Sequence, residues 1–537
     1  MQESQKPPGY SDQRASDTLV RTDLSGGDGF TVTHTVATSP TPGIGVQTDY
    51  TVQFLPDGSQ VRTTDLPDGT EEQLTIGIDG SRTVKRLSVP DGSNHRTVLS
   101  TQTSTSGPDP RFGMESPVTS STVTQGDVTA TINTVREAPL ANDSDLTSIT
   151  RTTEKVIVNG QTVERTYVPA TSTYTDTSPE NRHTYTVVDA QGRPVKQTVG
   201  NLAMTEYHYD GNGKLDGISQ GGRITTMTYD THGNVDSVTD PAYRTVTFTY
   251  DDAGRVASQA FDDGRSIGFT YDPKGNLESI TPPGHSYSTD AHFFTYYPSG
   301  QQQYYNPPQP YPALSDRRTH YRYNLSGQLS RIDRPNDATA EFIVLDHDLE
   351  TRELRHQGPS TGPDITYNYN SETGDLDNIV TGDGQICAYG YDGSLPTSEE
   401  WRLGSGGVGV AGTVSKTYDN TFRVSSQSVD NGSSISFGYD NDNLLTSAGS
   451  LTLSRSTSTG LLSGTSIANA ADAYGYNGMG EITSYATAVN GNTLYGVSYT
   501  RDSLGRITAK TEAVQGTTDS YGYSYDSAGR LADVTKN

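Results

Sequence analysis

The sequence predicts an all-β fold made of β-hairpins that pair edge to edge into one long antiparallel sheet. Three observations predict it. Tyr209, Tyr229, Tyr250 and Tyr271 are each followed by Asp and, four residues on, by Gly213, Gly233, Gly254 and Gly275, so a unit recurs about every 21 residues. The segment ahead of each Tyr alternates, as in Val246, Phe248 and Tyr250 with threonines between, which is the period of a strand with one packed face. Composition agrees, with 56 Gly, 33 Tyr and only 31% hydrophobic residues, and helical periodicity is almost absent.

Each part of the unit has a physical role. The Tyr ring packs on a half-buried strand face while its hydroxyl finds a polar partner. The Asp at the strand end accepts hydrogen bonds from turn amides, and the Gly supplies a positive φ that other residues adopt only with strain. Val in place of Gly254 or Gly275 is therefore expected to destabilise, whereas Gly26, in the polar front of the chain, is expected to tolerate the change. A single hairpin is marginal in water, so many must pair into a continuous sheet.

Along the chain, residues 1–45 are rich in Ser, Thr, Pro, Gly and Asp and are expected to be loosely structured. Residues 46–184 read as an N-terminal β-meander, a degenerate form of the repeat. Its turn signals Pro56-Asp57-Gly58, Pro67-Asp68-Gly69, Asp79-Gly80 and Pro90-Asp91-Gly92 fall about 11 residues apart. The stretch from Ser104 to Asp145 lacks a clear pattern and reads as an irregular loop or linker. Asn159-Gly160, between two valine-rich segments, signals a type I′ hairpin. Residues 185–537 form the repeat body, beginning at Val188-Asp189. It continues through Tyr296, Tyr323-Asn324, Tyr369-Asn370, Tyr391-Asp392, Tyr418-Asp419, Tyr439-Asp440, Tyr476-Asn477 and Tyr525-Asp526, with Leu345-Asp346 and Arg501-Asp502 as degenerate copies. The strand after Tyr525-Asp526 leaves an unpaired edge, and further chain beyond residue 537 is the expectation.

The Tyr-Asp iteration resembles the YD repeat, or RHS repeat, of bacterial Rhs proteins, toxin-complex C subunits and the extracellular shells of teneurins. The resemblance covers about residues 185–537. It implies a sheet spiralling into a hollow, barrel-like shell, closed or open, and a secreted or cell-surface scaffold acting in adhesion, carbohydrate binding or encapsulation. Asp272-Pro273-Lys274-Gly275 is similar to part of the self-cleaving segment that terminates some of these shells, but it lies inside an ordinary repeat turn and is assigned no proteolytic role.

The net charge of −26 argues against nucleic acid and anionic membranes as partners. A single cysteine, Cys387, excludes an intrachain disulfide and a cysteine-rich zinc site. No segment is apolar enough to insert into a membrane, and Met1-Gln2-Glu3-Ser4 does not open a signal peptide. Asp251-Asp252, Asp262-Asp263 and Asp440-Asn441-Asp442 fit no EF-hand loop, so neither a metal nor a cofactor is expected.

The repeat is interrupted at residues 281–324, where histidines, arginines and tyrosines concentrate. Alternation places His292, Phe294 and Tyr296 on one strand face and Phe293, Thr295 and Tyr297 on the other; it also sets His320 and Arg322 opposite Tyr321 and Tyr323. Tyr304, Tyr305 and Tyr311, among prolines, offer rings that can stack on sugars. The expected partner is a carbohydrate, acidic polysaccharides included. A polysaccharide lyase is the alternative. β-Elimination from a uronate needs a base (His292 or His320), an acid (Tyr297 or Tyr321) and a cation on the carboxylate (Arg318 or Arg322), with Arg317 and His285 as further substrate contacts. His292, His320 and Arg322 are expected to face one cavity.

Overall fold

The computed structural model describes residues 2–5, 15–37, 45–108, 115–145, 147–284, 290–308, 318–324, 326–335, 342–348, 351, 353–359, 363–403 and 411–536. These form 45 strands and one 3-10 turn, Pro169–Thr171, so the all-β expectation holds. The chain divides into two compact units. One comprises Met1–Gly107, Glu115–Ile132 and Phe269–Ser434; the other comprises Pro108–Met114, Asn133–Gly268 and Ile435–Asn537.

Strands run through stretches that composition alone left irregular. Ala15–Asp23 pairs antiparallel with Gly29–Ala37, which pairs with Gly45–Phe54. Glu115–Gln125 and Val128–Glu137 occupy most of the Ser104–Asp145 region. Threonine explains the difference: a β-branched polar residue suits a strand with little buried area, and it leaves no hydrophobic alternation to read.

Each repeat is a hairpin with a register shift at its closing tyrosine, as between His208/Tyr209, Thr228/Tyr229 and Thr249/Tyr250. The shift turns the ring toward the preceding hairpin. Tyr229 donates its hydroxyl to the Leu215 carbonyl at 2.6 Å, Tyr250 to Val235 at 2.8 Å, Tyr476 to Leu462 at 2.8 Å and Tyr525 to Ile507 at 2.8 Å. In every case the acceptor is the first residue of the previous return strand. The degenerate copy at Arg501 keeps this bond with a guanidinium, whose Nη2 donates to the Ile482 carbonyl at 3.0 Å.

The aspartate closes the turn. Asp251 Oδ1 accepts the amides of Ala253 at 3.0 Å and Arg255 at 2.9 Å, and Oδ2 accepts Arg255 Nε at 2.8 Å. The cation at this position then reaches the next repeat: the Arg193 guanidinium lies 4.3 Å from the Tyr209 ring centre and donates to the Gly213 carbonyl at 2.9 Å. Few apolar side chains are deeply buried among the described residues, with Val46, Leu87, Val188 and Val497 among them. Stability therefore rests on neighbour-to-neighbour bonds rather than a central core.

Within the second unit, residues distant in sequence lie side by side. Arg182 pairs with Asp440 and Asp442, and Arg223 forms a fork with Glu481 at 2.9 Å on both oxygens. Within the first unit, Arg86 meets Asp375 at 3.3 Å.

Gly254 and Gly275 have φ of 76° and 92°, as the hairpin reading requires. A Cβ at Gly254 would meet nothing within 4 Å, so the cost of Gly254→Val is one of backbone conformation, roughly 1–3 kcal/mol. Gly26 is not the tolerant comparison that composition suggested, because it too sits at positive φ, 116°. Gly211 is: it is exposed, has no positive φ, and has open space around its Cβ position. Urea unfolding should show Gly254→Val destabilised by that amount and Gly211→Val nearly unchanged; equal tolerance at both would contradict the turn assignment.

Candidate functional site

The interrupted region lies in the first unit and contributes three strands, His292–Tyr296, Gln302–Asn306 and Thr319–Tyr323, and the strand Leu329–Asp333 follows it, each antiparallel to the next. Directly paired residues of an antiparallel ladder share a face. Thr295 pairs with Tyr304, Tyr304 with His320, and His320 with Asp333, so these form one face together with Arg322 and its partner Arg331. Phe294 pairs with Tyr305, Tyr305 with Thr319, and Tyr321 with Ile332, which puts His292, Tyr305 and Tyr321 on the other face.

This corrects one expectation. His292 and His320 lie on opposite faces and cannot line one cavity. Strict alternation fails at the closing tyrosines, where register shifts at Thr295/Tyr296 and Arg322/Tyr323 pair Tyr296 with Gln302 and Tyr323 with Leu329; the register across the intervening residues then decides which faces coincide, and no local pattern carries it.

On the first face the side chains form a chain of contacts. Tyr297 occupies the position of the repeat aspartate: its amide donates to the Gln301 carbonyl at 2.8 Å, as Asp251 does to Arg255 at 2.9 Å. Lacking a carboxylate, it does not cap the turn but reaches across the strands. Its hydroxyl lies 3.1 Å from His320 Nε2, and His320 Nδ1 lies 3.4 Å from Asp333 Oδ2. The Tyr297 hydroxyl also lies 3.3 Å from the Tyr321 carbonyl, and His320 sits between that hydroxyl and the Asp333 carboxylate. Asp333 also accepts Arg322 Nε on Oδ2 at 2.7 Å and Arg331 Nε on Oδ1 at 2.5 Å.

Burial decides the charges. Tyr297 is only 6% exposed, and burial pushes its hydroxyl above the ordinary phenol range. Burial, followed by the Arg322 guanidinium, pushes His320 below its ordinary value; Asp333 opposes but does not outweigh them, so the ring is neutral at neutral pH. Burial alone would raise Asp333, but the hydrogen bonds from Arg322 and Arg331 prevail and hold it below the usual carboxylate range.

The tyrosines expected to stack on sugars are already engaged. Tyr304 stacks on His320 with ring centres 4.3 Å apart, and the Arg318 guanidinium lies 5.0 Å from its centre. Tyr305 stacks on His292 at 5.8 Å and Phe294 at 5.4 Å, and its hydroxyl lies 2.7 Å from His292 Nδ1. His285, Tyr311 and Arg317 fall outside the described residues. The structure thus brings together Tyr297, Tyr304, Arg318, His320 and Arg322, and separates His292, Tyr305 and Tyr321 from them. Sequence reasoning missed Asp333 and Arg331, the hub and its second arginine; the available signal was an aspartate ending the return strand opposite His320. No group of residues able to hold a metal occurs among the described residues, and no helix is long and apolar enough to cross a membrane.

Among curated proteins none matches the sequence. Solved structures do, at low identity. A Tc holotoxin pore from Photorhabdus luminescens aligns with a TM-score of 0.43 and 15% identity, over 89% of this chain and 26% of that one. A TcdB2-TccC3 crystal structure aligns at 0.43 and 12%, over 94% and 35%. The chain thus spans about a third or less of the length of these proteins. The teneurin YD-shell family model matches residues 35–537. With nearly the whole chain matched, and tyrosine, aspartate and glycine each in the role the repeat demands, the chain belongs to the teneurin YD-shell family.

Proposed function

We propose that the chain is a secreted or cell-surface YD-repeat scaffold that carries one carbohydrate-binding face, formed by Arg318, His320, Arg322 and their neighbours. The observation that supports this reading is the Tyr297–His320–Asp333 chain. In ordinary repeats tyrosine and aspartate serve the hairpins themselves, whereas here a turn aspartate is replaced and polar side chains from separate strands converge on one face. Fixed polar and cationic groups beside aromatic rings are what saccharide recognition requires.

Elimination is a second reading, favoured by one observation. A neutral His320, the Tyr297 hydroxyl 3.1 Å away and Arg322 on the same face are the base, acid and cation that uronate cleavage needs. Against it, Tyr297 is 6% exposed and His320 is engaged at both ring nitrogens.

A glycan array, followed by ultraviolet absorbance during incubation with uronate polysaccharides, separates the readings. Binding without the absorbance of an unsaturated product supports the scaffold, a rise selects the lyase, and no binding to any glycan overturns both. Arg322, at 48% exposure, is the informative position. Arg322→Ala is expected to weaken glycan binding with the thermal midpoint nearly unchanged, since Asp333 keeps Arg331. His320→Ala removes a stacking partner and a buried hydrogen bond, and should cost roughly 1–3 kcal/mol of stability. A silent Arg322→Ala would place the binding face elsewhere.

A further inference from the structure

Many arginines among the described residues have a carboxylate to themselves. Arg193, Arg255, Arg423 and Arg506 each pair with the aspartate of their own turn, and Arg182 has two aspartates to itself. Asp333 reverses this ratio. Its two oxygens are taken by Nε of Arg322 and Nε of Arg331, and among the described residues it is the only carboxylate paired with either. The cluster therefore carries excess positive charge in a chain of net charge −26.

Both guanidiniums are held in place while remaining accessible. The Arg331 guanidinium carbon lies over the Phe342 ring, 3.6 Å from its centre, and Arg322 is fixed through Asp333; their side chains are 36% and 48% exposed. Among the described residues only Nε of each is hydrogen-bonded, which leaves the Nη donors for a ligand. Two oriented guanidiniums sharing one carboxylate suit a second oxyanion, because the planar fork matches a carboxylate and loses little freedom on binding it.

We propose that Arg322 and Arg331, positioned by Asp333, form an anion subsite that holds the carboxylate of an acidic saccharide. This rests on the carbohydrate reading above and specifies its ligand class as uronate-bearing. The residues are substrate-binding; Asp333 is a positioning residue that sets the guanidiniums side by side.

The test is calorimetric titration of the full chain with oligogalacturonate and with its carboxyl-reduced, neutral counterpart. The expected result is at least about tenfold tighter binding of the acidic oligomer, lost on adding salt and lost in both Arg322→Gln and Arg331→Gln. Should a glutamine variant fail to fold, the salt dependence and the acidic-to-neutral ratio of the unaltered protein decide alone. Equal affinity for the two oligomers, or no salt dependence, overturns the subsite while leaving the carbohydrate reading standing. Failure to bind either oligomer overturns the uronate subsite, and the glycan array then judges the carbohydrate reading separately.

Discussion

Arg182→Ala is expected to destabilise the second unit by about 3–5 kcal/mol, because it strands two carboxylates in a part-buried seam. The Arg182 Nη groups bond Asp440 at 2.8 Å and Asp442, and the three side chains are 14%, 11% and 10% exposed. Asp442 additionally accepts the Ser178 hydroxyl at 2.6 Å and the Glu180 amide at 2.9 Å, so the seam ties one repeat turn to another some 260 residues away. Burial by itself would lower the arginine pKa, yet the bonds from the two aspartates hold it above the ordinary range, which marks the site as one organised for the charged form. Removing the cation leaves Asp440 and Asp442 with hydrogen-bond donors but no opposite charge. The double variant Arg182→Ala with Asp442→Asn should recover part of the loss, since one of the two stranded charges is gone. Lys196→Ala is the comparison, because its pair with Glu206 is half exposed and worth about 1 kcal/mol or less. Urea unfolding of the three proteins checks the order, and an Arg182→Ala cost no larger than that of Lys196→Ala would show that the seam is solvated.

What could be read from the sequence, and what could not, divides by range. The hairpins, the closing tyrosines, the capping aspartates and the positive-φ glycines are local, so spacing alone located them. The partner of each tyrosine was not local: the ring reaches the previous return strand only because a register shift precedes it, and nothing in Thr249-Tyr250 announces that shift. The front of the chain was underread because threonine-rich strands lack a hydrophobic beat. At the candidate site, residue types pointed to His320 and Arg322, but the face shared with Tyr304 and denied to His292 depends on register over four strands. Arg331 and Asp333 escaped notice for the same reason, and so did Arg182, whose partners lie far along the chain.

Acid should unfold this protein over a narrow range, and the repeat aspartates set where. Asp251 and Asp272 are lowered chiefly by hydrogen bonds from the Arg255 and Asn276 side chains. At Asp189, Asp230, Asp419 and Asp502 burial pulls upward, but the turn amides and neighbouring side chains outweigh it, and these carboxyls too sit below the ordinary 3.8. A carboxyl with a depressed folded value binds fewer protons when folded, so its contribution is complete above the unfolded value and disappears as pH falls through the folded one. His320, also depressed, adds a smaller loss that begins near pH 6.5, where the unfolded ring starts to charge. Glu71 and Glu353, raised by burial, act in the opposite direction. The thermal midpoint should therefore decline slightly below about pH 6.5 and fall steeply below about pH 4, as many small losses add along the repeats. Asparagine tests the cause, because the chain already uses it as the cap: Asn477 Oδ1 accepts the amides of Met479 at 2.9 Å and Glu481 at 3.0 Å. Replacing Asp230, Asp251 and Asp272 together by Asn should lower the midpoint at neutral pH, because an amide nitrogen cannot accept the Arg255 guanidinium that Asp251 Oδ2 holds, and should move the steep acid limb to lower pH, since an amide caps without titrating. An acid limb that stays in place would assign the transition to other carboxyls, Asp333 and Asp440 foremost among them.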